Sequence, residues 1–237
     1  MRTAIDVSNY QPRDLSNLIQ TYAPDVIIIR IQLPTEHIPP GYTHDQAASA
    51  HAWNIPVQAY VWGYGDADPV WTMVNAVRIY REISAQGPLW LDCEADIDED
   101  WVRDAIVVGE ALGVTVGIYT GFWWWQSHIV GDFGHLPLWV ADYGSTSPRL
   151  PHGWDKYVWW QWTSDPIDQN VGVDGMRTEQ QQRIIDVLRI NANDRLQKHA
   201  DAATMVGLDS LARELVIAID EINGEVDKLE NSEWPVG

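Results

Sequence analysis

Short apolar runs of β-strand length alternate with helix-like segments along the first 175 residues, and this alternation constrains the fold more than any other feature. The eight candidate strands are residues 3–8, 25–32, 57–62, 88–94, 114–119, 137–143, 157–162 and 170–174. The candidate helices, with apolar positions three or four residues apart, are residues 13–22, 44–53, 69–86 and 98–112. This alternation predicts a parallel sheet, and eight strands predict closure into a barrel. The later connections are too short for regular helices, so we expect an irregular second half.

Charge and cysteine content exclude several classes of function. The chain has 15 basic and 34 acidic residues, a formal net charge of −19, which excludes nucleic acid and anionic membranes as general partners. Cys93 is the single cysteine, so neither an intramolecular disulfide nor a multi-cysteine metal cluster can form, and we expect no cofactor or metal. Fourteen Trp and nine Tyr stand against two Phe, which favours a site that stacks on a flat, hydroxylated ligand.

No apolar stretch reaches the roughly 18 residues that a membrane span needs, and the first residues lack the apolar core of a signal peptide. We therefore expect a soluble protein that is made in the cytoplasm without a signal peptide.

The pattern changes after about residue 176, where residues 179–237 are expected to form a helical C-terminal extension. Apolar side chains recur there at heptad spacing, interrupted by Glu225; they are Leu208, Leu211, Leu215, Ala218, Ile222 and Leu229. This spacing predicts a helix over most of residues 195–230. Three interpretations stay open: a helix packed on the barrel, a coiled coil that forms a homo-oligomer, or a docking helix for another protein.

The fourth candidate strand carries two acidic residues on one face. Side chains alternate along a strand, so Trp90, Asp92 and Glu94 share one face, with the two acidic Cβ atoms roughly 6.6 Å apart. Two like charges on an apolar strand raise the pKa of one of them, which keeps a carboxyl group protonated as a general acid. The alternative is a solvated strand end beside the acidic residues at positions 96 and 98–100.

Two further acidic residues interrupt or follow apolar strands. Asp6 lies between Ile5 and Val7, and Asp174 follows the last candidate strand. In a parallel barrel the strand carboxyl ends surround one mouth, so Asp6, Asp174 and the two acids of the fourth strand are expected to converge there. Such a cluster fits either glycoside hydrolysis or a hard-cation site, and the aromatic content favours glycoside hydrolysis. The run of three tryptophans at positions 123–125 fits a sugar platform or a protein contact.

The ordered motifs IDVSNYQ, IIIRIQ, LDCEAD, VGIYTGFWW, PLWVADYG, VWWQWTS and NVGVD resemble glycoside hydrolase family 25, the muramidases often called Chalaropsis-type lysozymes. The resemblance covers residues 4 to about 176, and we take residues 1–178 as the catalytic domain. It implies a flattened, TIM-like (β/α)5(β)3 barrel of the α/β class. It also implies cleavage of the β-1,4 bond between N-acetylmuramic acid and N-acetylglucosamine in bacterial peptidoglycan.

The resemblance also implies roles for particular residues. Glu94 is similar to the family's general acid, and Asp92 to the group that stabilises positive charge or orients the substrate's acetamido group. Asp6 and Asp174 are similar to the remaining carboxylates. The residues expected to bind substrate are Arg30, Tyr60, Trp62, Tyr119, Trp139, Asp142, Trp160 and Gln161.

The sequence thus predicts a retaining muramidase, similar to a phage endolysin or a virion-associated wall hydrolase, that acts on the cell wall after release. The rival hypothesis is a glycan-binding module of a larger particle, such as a virion, that holds the glycan without cutting it. The four acidic residues favour the enzyme, because a module that had lost activity need not keep all of them.

Overall fold

A computed structural model describes residues 2–37 and 39–172 of the chain. Asp174, the boundary at residue 178, the extension at 179–237 and its helix at 195–230 lie outside the described residues.

All eight predicted strands are present, together with five helices in the described part of the chain. The strands are β1 (Arg2–Val7), β2 (Val26–Arg30), β3 (Val57–Trp62), β4 (Leu89–Asp92), β5 (Val116–Gly121), β6 (Leu138–Ala141), β7 (Trp159–Thr163) and β8 (Gln169–Gly172). The helices are α1 (Ser16–Tyr22), α2 (Tyr42–Ala52), α3 (Pro69–Glu82), α4 (Glu99–Ala111) and α5 (Phe122–His128). Each helix follows one of the first five strands, so the expected (β/α)5(β)3 order is confirmed. None of the helices in this part is long and apolar enough to cross a membrane.

The strands close into a barrel in chain order, and the direction of the last strand corrects the prediction of an all-parallel sheet. Neighbouring strands from β1 to β7 pair in parallel. Strand β8 instead pairs antiparallel with both β7 and β1. A parallel pair needs a crossover of a dozen or more residues, and the short connection at residues 164–168 allows only a hairpin. The first residue of β8 therefore lies at the mouth where the other strands end.

Side-chain alternation divides the apolar residues into two layers. In β4, Leu89 and Leu91 face the helices with Cys93, while Trp90 faces the barrel interior. The interior packs aromatic rings where aliphatic residues are common; they are Tyr60, Trp90, Tyr119, Trp139 and Trp159. Much of the aromatic content therefore builds the core, and only part of it is available to a ligand.

At the base of the barrel, Gln58 binds two indole groups and two glycines leave space for their rings. Gln58 Oε1 accepts hydrogen bonds from Trp90 Nε1 and Trp159 Nε1, at 2.9 and 3.1 Å. A Cβ on Gly117 would lie 2.5 Å from the Trp90 ring, and one on Gly172 would lie 2.5 Å from the Trp159 ring. Large rings and missing side chains are thus matched across neighbouring strands, as a densely packed interior requires.

Aspartates begin the two long helices beside the site. Asp68 caps α3 and Asp98 caps α4, each accepting the backbone N–H three residues further on at 2.8 Å. The side-chain oxygens satisfy N–H groups that a helix start leaves without partners. Helix α3 ends at Glu82, four residues before its predicted end, because Ser84 adopts a left-handed backbone with φ 52°.

Candidate active site

A pocket of about 250 Å³ lies at the mouth of the barrel, where strands β1 to β7 end. Its lining residues are Asp6, Ser8, Tyr10, Arg30, Tyr60, Trp62, Asp92, Glu94, Tyr119, Trp139, Tyr143, Gln161 and Asp168. Three of the four predicted acidic residues are among them, with a fourth carboxylate that the sequence did not predict.

Strand β4 delivers Asp92 and Glu94 to this pocket on the face that alternation predicts. Asp92 is 2% exposed, and its buried Oδ1 has no hydrogen-bond partner among the described residues. Burial, and then the nearby Glu94, raise the pKa of Asp92 well above its ordinary value, although Arg30 opposes the shift. The surroundings of Asp92 therefore favour its neutral form and leave one oxygen without a protein partner.

Glu94 lies just beyond the end of β4 and is only partly buried. Burial raises its pKa to about 7; a hydrogen bond from the Gly121 backbone lowers it, and the charge of Asp168 raises it. A carboxyl group with this pKa is protonated in part of the molecules at neutral pH, which suits a general acid.

Asp6 lies on β1 inside a hydrogen-bonded network. Its Oδ2 accepts from Gln161 Nε2 at 3.0 Å and from Asn170 Nδ2 at 2.8 Å. Burial, and then the nearby Asp168, raise the pKa of Asp6 to about 7, and the two amide donors limit that rise. The amides stabilise the ionised form of a carboxyl group that burial alone would keep neutral.

Asp168 is the acidic residue that the sequence analysis missed. It immediately precedes β8, and its carbonyl oxygen accepts the Asp6 backbone N–H at 3.2 Å. Burial raises the pKa of Asp168 to about 6. Because β8 runs antiparallel, the residue ahead of it reaches the mouth. The short connection before β8 was the sequence signal for Asp168. Asp174, which the sequence analysis expects at the mouth, lies outside the described residues.

Gln161 joins the tyrosines of the pocket to Asp6. Its Oε1 accepts the hydroxyl groups of Tyr119 and Tyr143, at 2.8 and 2.5 Å, while its amide nitrogen donates to Asp6. Trp139 Nε1 donates to Asn170 Oδ1 at 2.7 Å, which fixes the second amide on Asp6. Tyr143 and Asn170 were not predicted, since neither stands out in the sequence.

Arg30 and Trp62 form one edge of the pocket, with the guanidinium carbon 5.7 Å from the indole centroid. Arg30 is paired with Glu36 and donates to the Tyr64 hydroxyl at 2.8 Å, while its buried Nε has no partner in the described part of the chain. Beyond Arg30 a second groove of about 770 Å³ opens between the loops after β1, β2 and β3, and it shares Arg30 and Tyr10 with the pocket.

Two predicted substrate-binding residues lie outside the pocket lining. Asp142 is fully buried and paired with Arg149, whose backbone N–H and guanidinium both donate to it, and Arg149 lowers its pKa. Trp160 packs against the outer apolar layer and donates through Nε1 to the Asp142 carbonyl at 2.8 Å. The remaining predicted binding residues all line the pocket; they are Arg30, Tyr60, Trp62, Tyr119, Trp139 and Gln161.

Among residues 2–37 and 39–172, no group of three or more His, Cys, Asp or Glu is arranged to hold a metal ion. The carboxyl groups instead have pKa values raised to different extents by burial. Groups separated in this way can divide acid and base roles at one pH.

Carboxyl groups gathered at the mouth of a closed (β/α)5(β)3 barrel are the arrangement that glycoside hydrolysis needs. The sequence profile described as Glycosyl hydrolases family 25 matches residues 5–171, so the chain belongs to this family and is a glycoside hydrolase. No curated protein sequence matches it.

Solved structures share the fold. A muramidase from Acremonium alcalophilum is 20% identical with a TM-score of 0.59, over 78% of this chain and 99% of that one. The bacterial lysozyme from Streptomyces coelicolor is 18% identical with a TM-score of 0.59, over 81% of this chain and 97% of that one. The CTP1L endolysin is 20% identical with a TM-score of 0.55, over 78% of this chain and 69% of that one.

Proposed function

We propose that this chain is a muramidase that cleaves the β-1,4 bond between N-acetylmuramic acid and N-acetylglucosamine in peptidoglycan, with retention of configuration. The observation that carries the proposal is the pocket itself. It is lined by Asp92 and Glu94 from the end of β4, both with raised pKa values, and by Asp6 and Asp168. The muramidase and lysozyme structures that share the fold support this substrate.

Glu94 acts as the general acid. Its pKa of about 7 supplies a proton near neutral pH, and its partial exposure lets it reach the glycosidic oxygen. The proton passes to that oxygen as the bond to the anomeric carbon breaks, and the N-acetylglucosamine leaves with the oxygen as a hydroxyl group. The positive charge that develops on the other sugar must then be stabilised.

Asp92 positions the acetamido group of the N-acetylmuramic acid. This assignment is supported by the Oδ1 atom, which has no partner among the described residues, and by burial, which favours the neutral carboxyl; a neutral carboxyl can both donate and accept a hydrogen bond. As the glycosidic bond breaks, the carbonyl oxygen of this acetamido group can bond to the anomeric carbon from the opposite face. Water then attacks on the face of the departed sugar and displaces that oxygen, which gives retention. Water adds its hydroxyl to the anomeric carbon and returns a proton to Glu94.

Asp168 and Asp6 supply negative charge to the developing cation. The pKa of Asp168, about 6, and that of Asp6, about 7, leave a share of each ionised at neutral pH. Both lie in the pocket with the acid, where a low dielectric strengthens their attraction to a positive sugar. We therefore assign this role to Asp6 and Asp168; Asp174, which the resemblance also places among the carboxylates of the site, lies outside the described residues.

The chain acts on the bacterial cell wall, a place that the shared fold with the CTP1L endolysin supports. We propose residues 1–178 as the catalytic domain and the extension that follows as an assembly or docking element. Light scattering on the full chain and on a chain ending near residue 190 tests the second point; an unchanged oligomeric state would remove the assembly role.

The decisive experiment is the analysis of muropeptides. Purified peptidoglycan is digested with the wild type, with Glu94→Gln and with Glu110→Gln, then reduced and analysed by mass spectrometry. Glu110 is the matched control, because it is a buried acid on α4 that does not line the pocket. We expect reduced N-acetylmuramic acid ends from the wild type and Glu110→Gln, and none from Glu94→Gln.

The anomeric configuration of the first product tests retention. Proton NMR during the first minutes should show the β-anomer before mutarotation, and an initial α-anomer would refute the retaining mechanism. New ends from Glu94→Gln at the wild-type rate would refute the acid assignment. No new ends from any of the proteins, with peptidoglycan still bound in a pull-down, would establish the glycan-binding module instead.

A further inference from the structure

Two exposed aromatic rings stand at the edge of the pocket beside Glu94. Trp123 is 50% exposed and Tyr143 is 42% exposed, and their ring centroids are 6.2 Å apart at an interplanar angle of 57°. A Cβ on Gly121 would lie 3.1 Å from Trp123 Cζ2 and 3.3 Å from Glu94 Oε1. The indole edge and the acid oxygen therefore share one small space, which the missing side chain of Gly121 leaves open.

The three consecutive tryptophans of α5 have separate roles. Trp125 is fully buried and packs edge-on against Phe133 and Trp154, with centroids 5.3 and 5.0 Å away. Trp124 stacks on His128 at 4.5 Å. Successive residues of a helix point about 100° apart, so the run cannot form one continuous platform. Trp123 is the member of the run that reaches the site.

Tyr143 is exposed on one face and fixed at its hydroxyl. The hydroxyl donates to Gln161 Oε1 at 2.5 Å, and Gln161 in turn donates to Asp6. The ring is therefore held in place before a ligand arrives, which lowers the entropy lost on binding. An exposed aromatic pair so close to charged groups has a flat apolar face available to a ligand that is polar at its edges, such as a sugar ring.

We propose that Trp123 and Tyr143 form the binding subsite for the departing N-acetylglucosamine, whose apolar face stacks on the indole. The proposal rests on the proposed function, because Glu94 must protonate the oxygen that joins this sugar to the N-acetylmuramic acid. The departing sugar carries that oxygen and therefore lies next to Glu94, where Trp123 stands. The second groove, beyond Arg30, opens at β2 and β3, across the barrel from β5 and β6. The rest of the glycan can therefore extend into this groove, away from Trp123 and Tyr143.

The subsite predicts that the contribution of Trp123 depends on the leaving group. We compare Trp123→Ala with the wild type on peptide-free glycan strands and on the β-fluoride of the N-acetylglucosaminyl-N-acetylmuramic acid disaccharide. The fluoride leaves without a ring that could stack. We expect kcat/KM on the strands to fall about 10-fold or more, as for an aromatic contact that becomes buried when the ligand binds. We expect kcat/KM on the fluoride to stay within about 2-fold of the wild-type value.

Two further variants complete the comparison. Trp123→Phe keeps an aromatic face and should recover most of the activity on strands. Trp53→Ala removes another exposed tryptophan, which donates to Ser16 between α1 and α2 and does not line the pocket, and should leave both substrates unaffected. Thermal unfolding of each variant checks that the fold is retained.

Equal losses on strands and fluoride, or no loss on strands, would overturn the subsite. Failure of Trp123→Phe to recover activity would overturn the stacking contact. If the wild type hydrolyses neither substrate, the proposed function itself is overturned, and the subsite with it.

Discussion

Exchange of the Gln161 amide for a carboxyl group tests the network around Asp6. Gln161 donates to Asp6 Oδ2 at 3.0 Å and accepts from Tyr119 and Tyr143. Gln161→Glu keeps the shape and the accepting oxygen but places an oxygen where the donor was. Two carboxyl groups at this distance cannot both be ionised, so the folded pair must hold a proton.

The cost follows from the number of protons that each state binds. The pKa of Asp6 is about 7, so the folded wild type loses this proton above neutral pH, whereas the folded variant keeps one proton on the pair. The unfolded carboxyl groups of both proteins are already ionised at pH 7. A folded state that alone binds an additional proton loses stability as pH rises. Over about two pH units, at about 1.4 kcal/mol per unit, the loss at pH 9 relative to pH 7 is roughly 2 to 3 kcal/mol. Between about pH 5 and pH 7 both folded proteins hold one proton on the pair, so the difference between them does not change with pH.

Urea unfolding at pH 5.5, 7 and 9 measures this difference, and Gln58→Glu provides the matched control. Gln58 lies in the same barrel, but its accepting oxygen faces the indole N–H groups of Trp90 and Trp159. Those donors stabilise a carboxylate, so the control should show a smaller dependence on pH. Activity of Gln161→Glu should also fall at neutral pH, since Asp6 loses a donor.

Two results would refute this reasoning. One is a loss of stability in Gln161→Glu that is the same at pH 5.5 and pH 9. The other is an equal dependence on pH in both variants, since burial alone would then explain the cost.

Three further predictions follow from the described residues. The pKa of Glu94, about 7, predicts that kcat/KM falls above neutral pH and is about 100-fold below its maximum at pH 9; a rate profile that is flat to pH 9 would contradict the acid role. Burial raises the pKa of Glu110 on α4 to about 8, and its side chain is 8% exposed, so stability is lost as pH rises from its unfolded pKa towards 8. At pH 7 the free energy of unfolding of Glu110→Gln should therefore exceed that of the wild type by roughly 3 kcal/mol. At pH 4 the two proteins should unfold at the same urea concentration; a difference independent of pH would refute the prediction. Gly117→Ala should lower stability by about 1 to 3 kcal/mol, because its methyl group would lie 2.5 Å from the Trp90 ring; unchanged thermal unfolding would show that the interior is looser than described.

The period of two along a strand made the centre of the site predictable. It placed Trp90, Asp92 and Glu94 on one face of β4, and the structure has them there. The same rule separates Gln161, which faces the pocket, from its neighbour Trp160, which faces outwards. The expectation that both bind substrate followed the resemblance instead of the alternation.

The remaining site residues depend on chain direction and on contacts distant in sequence. Asp168 reaches Asp6 because β8 is antiparallel, a direction that the short connection after β7 dictates. Asp142 follows an apolar strand as Asp92 ends one, but it shares the outward parity of Val140, whereas Asp92 shares the inward parity of Trp90. The ion pair of Asp142 with Arg149 is a contact that the alternation does not predict.

The sequence by itself determined the order of the eight strands and of the first four helices, the closure into a barrel, and the face on which the acid pair lies, because these depend on periodicity and on the length of connections. Helix α5 was expected only from the family resemblance. Only the tertiary structure decided which tryptophans form the core and which are exposed to solvent, and how far each carboxyl pKa is raised. Burial and hydrogen bonding depend on residues that are distant in sequence and in contact across the barrel, and a local sequence pattern does not show those contacts.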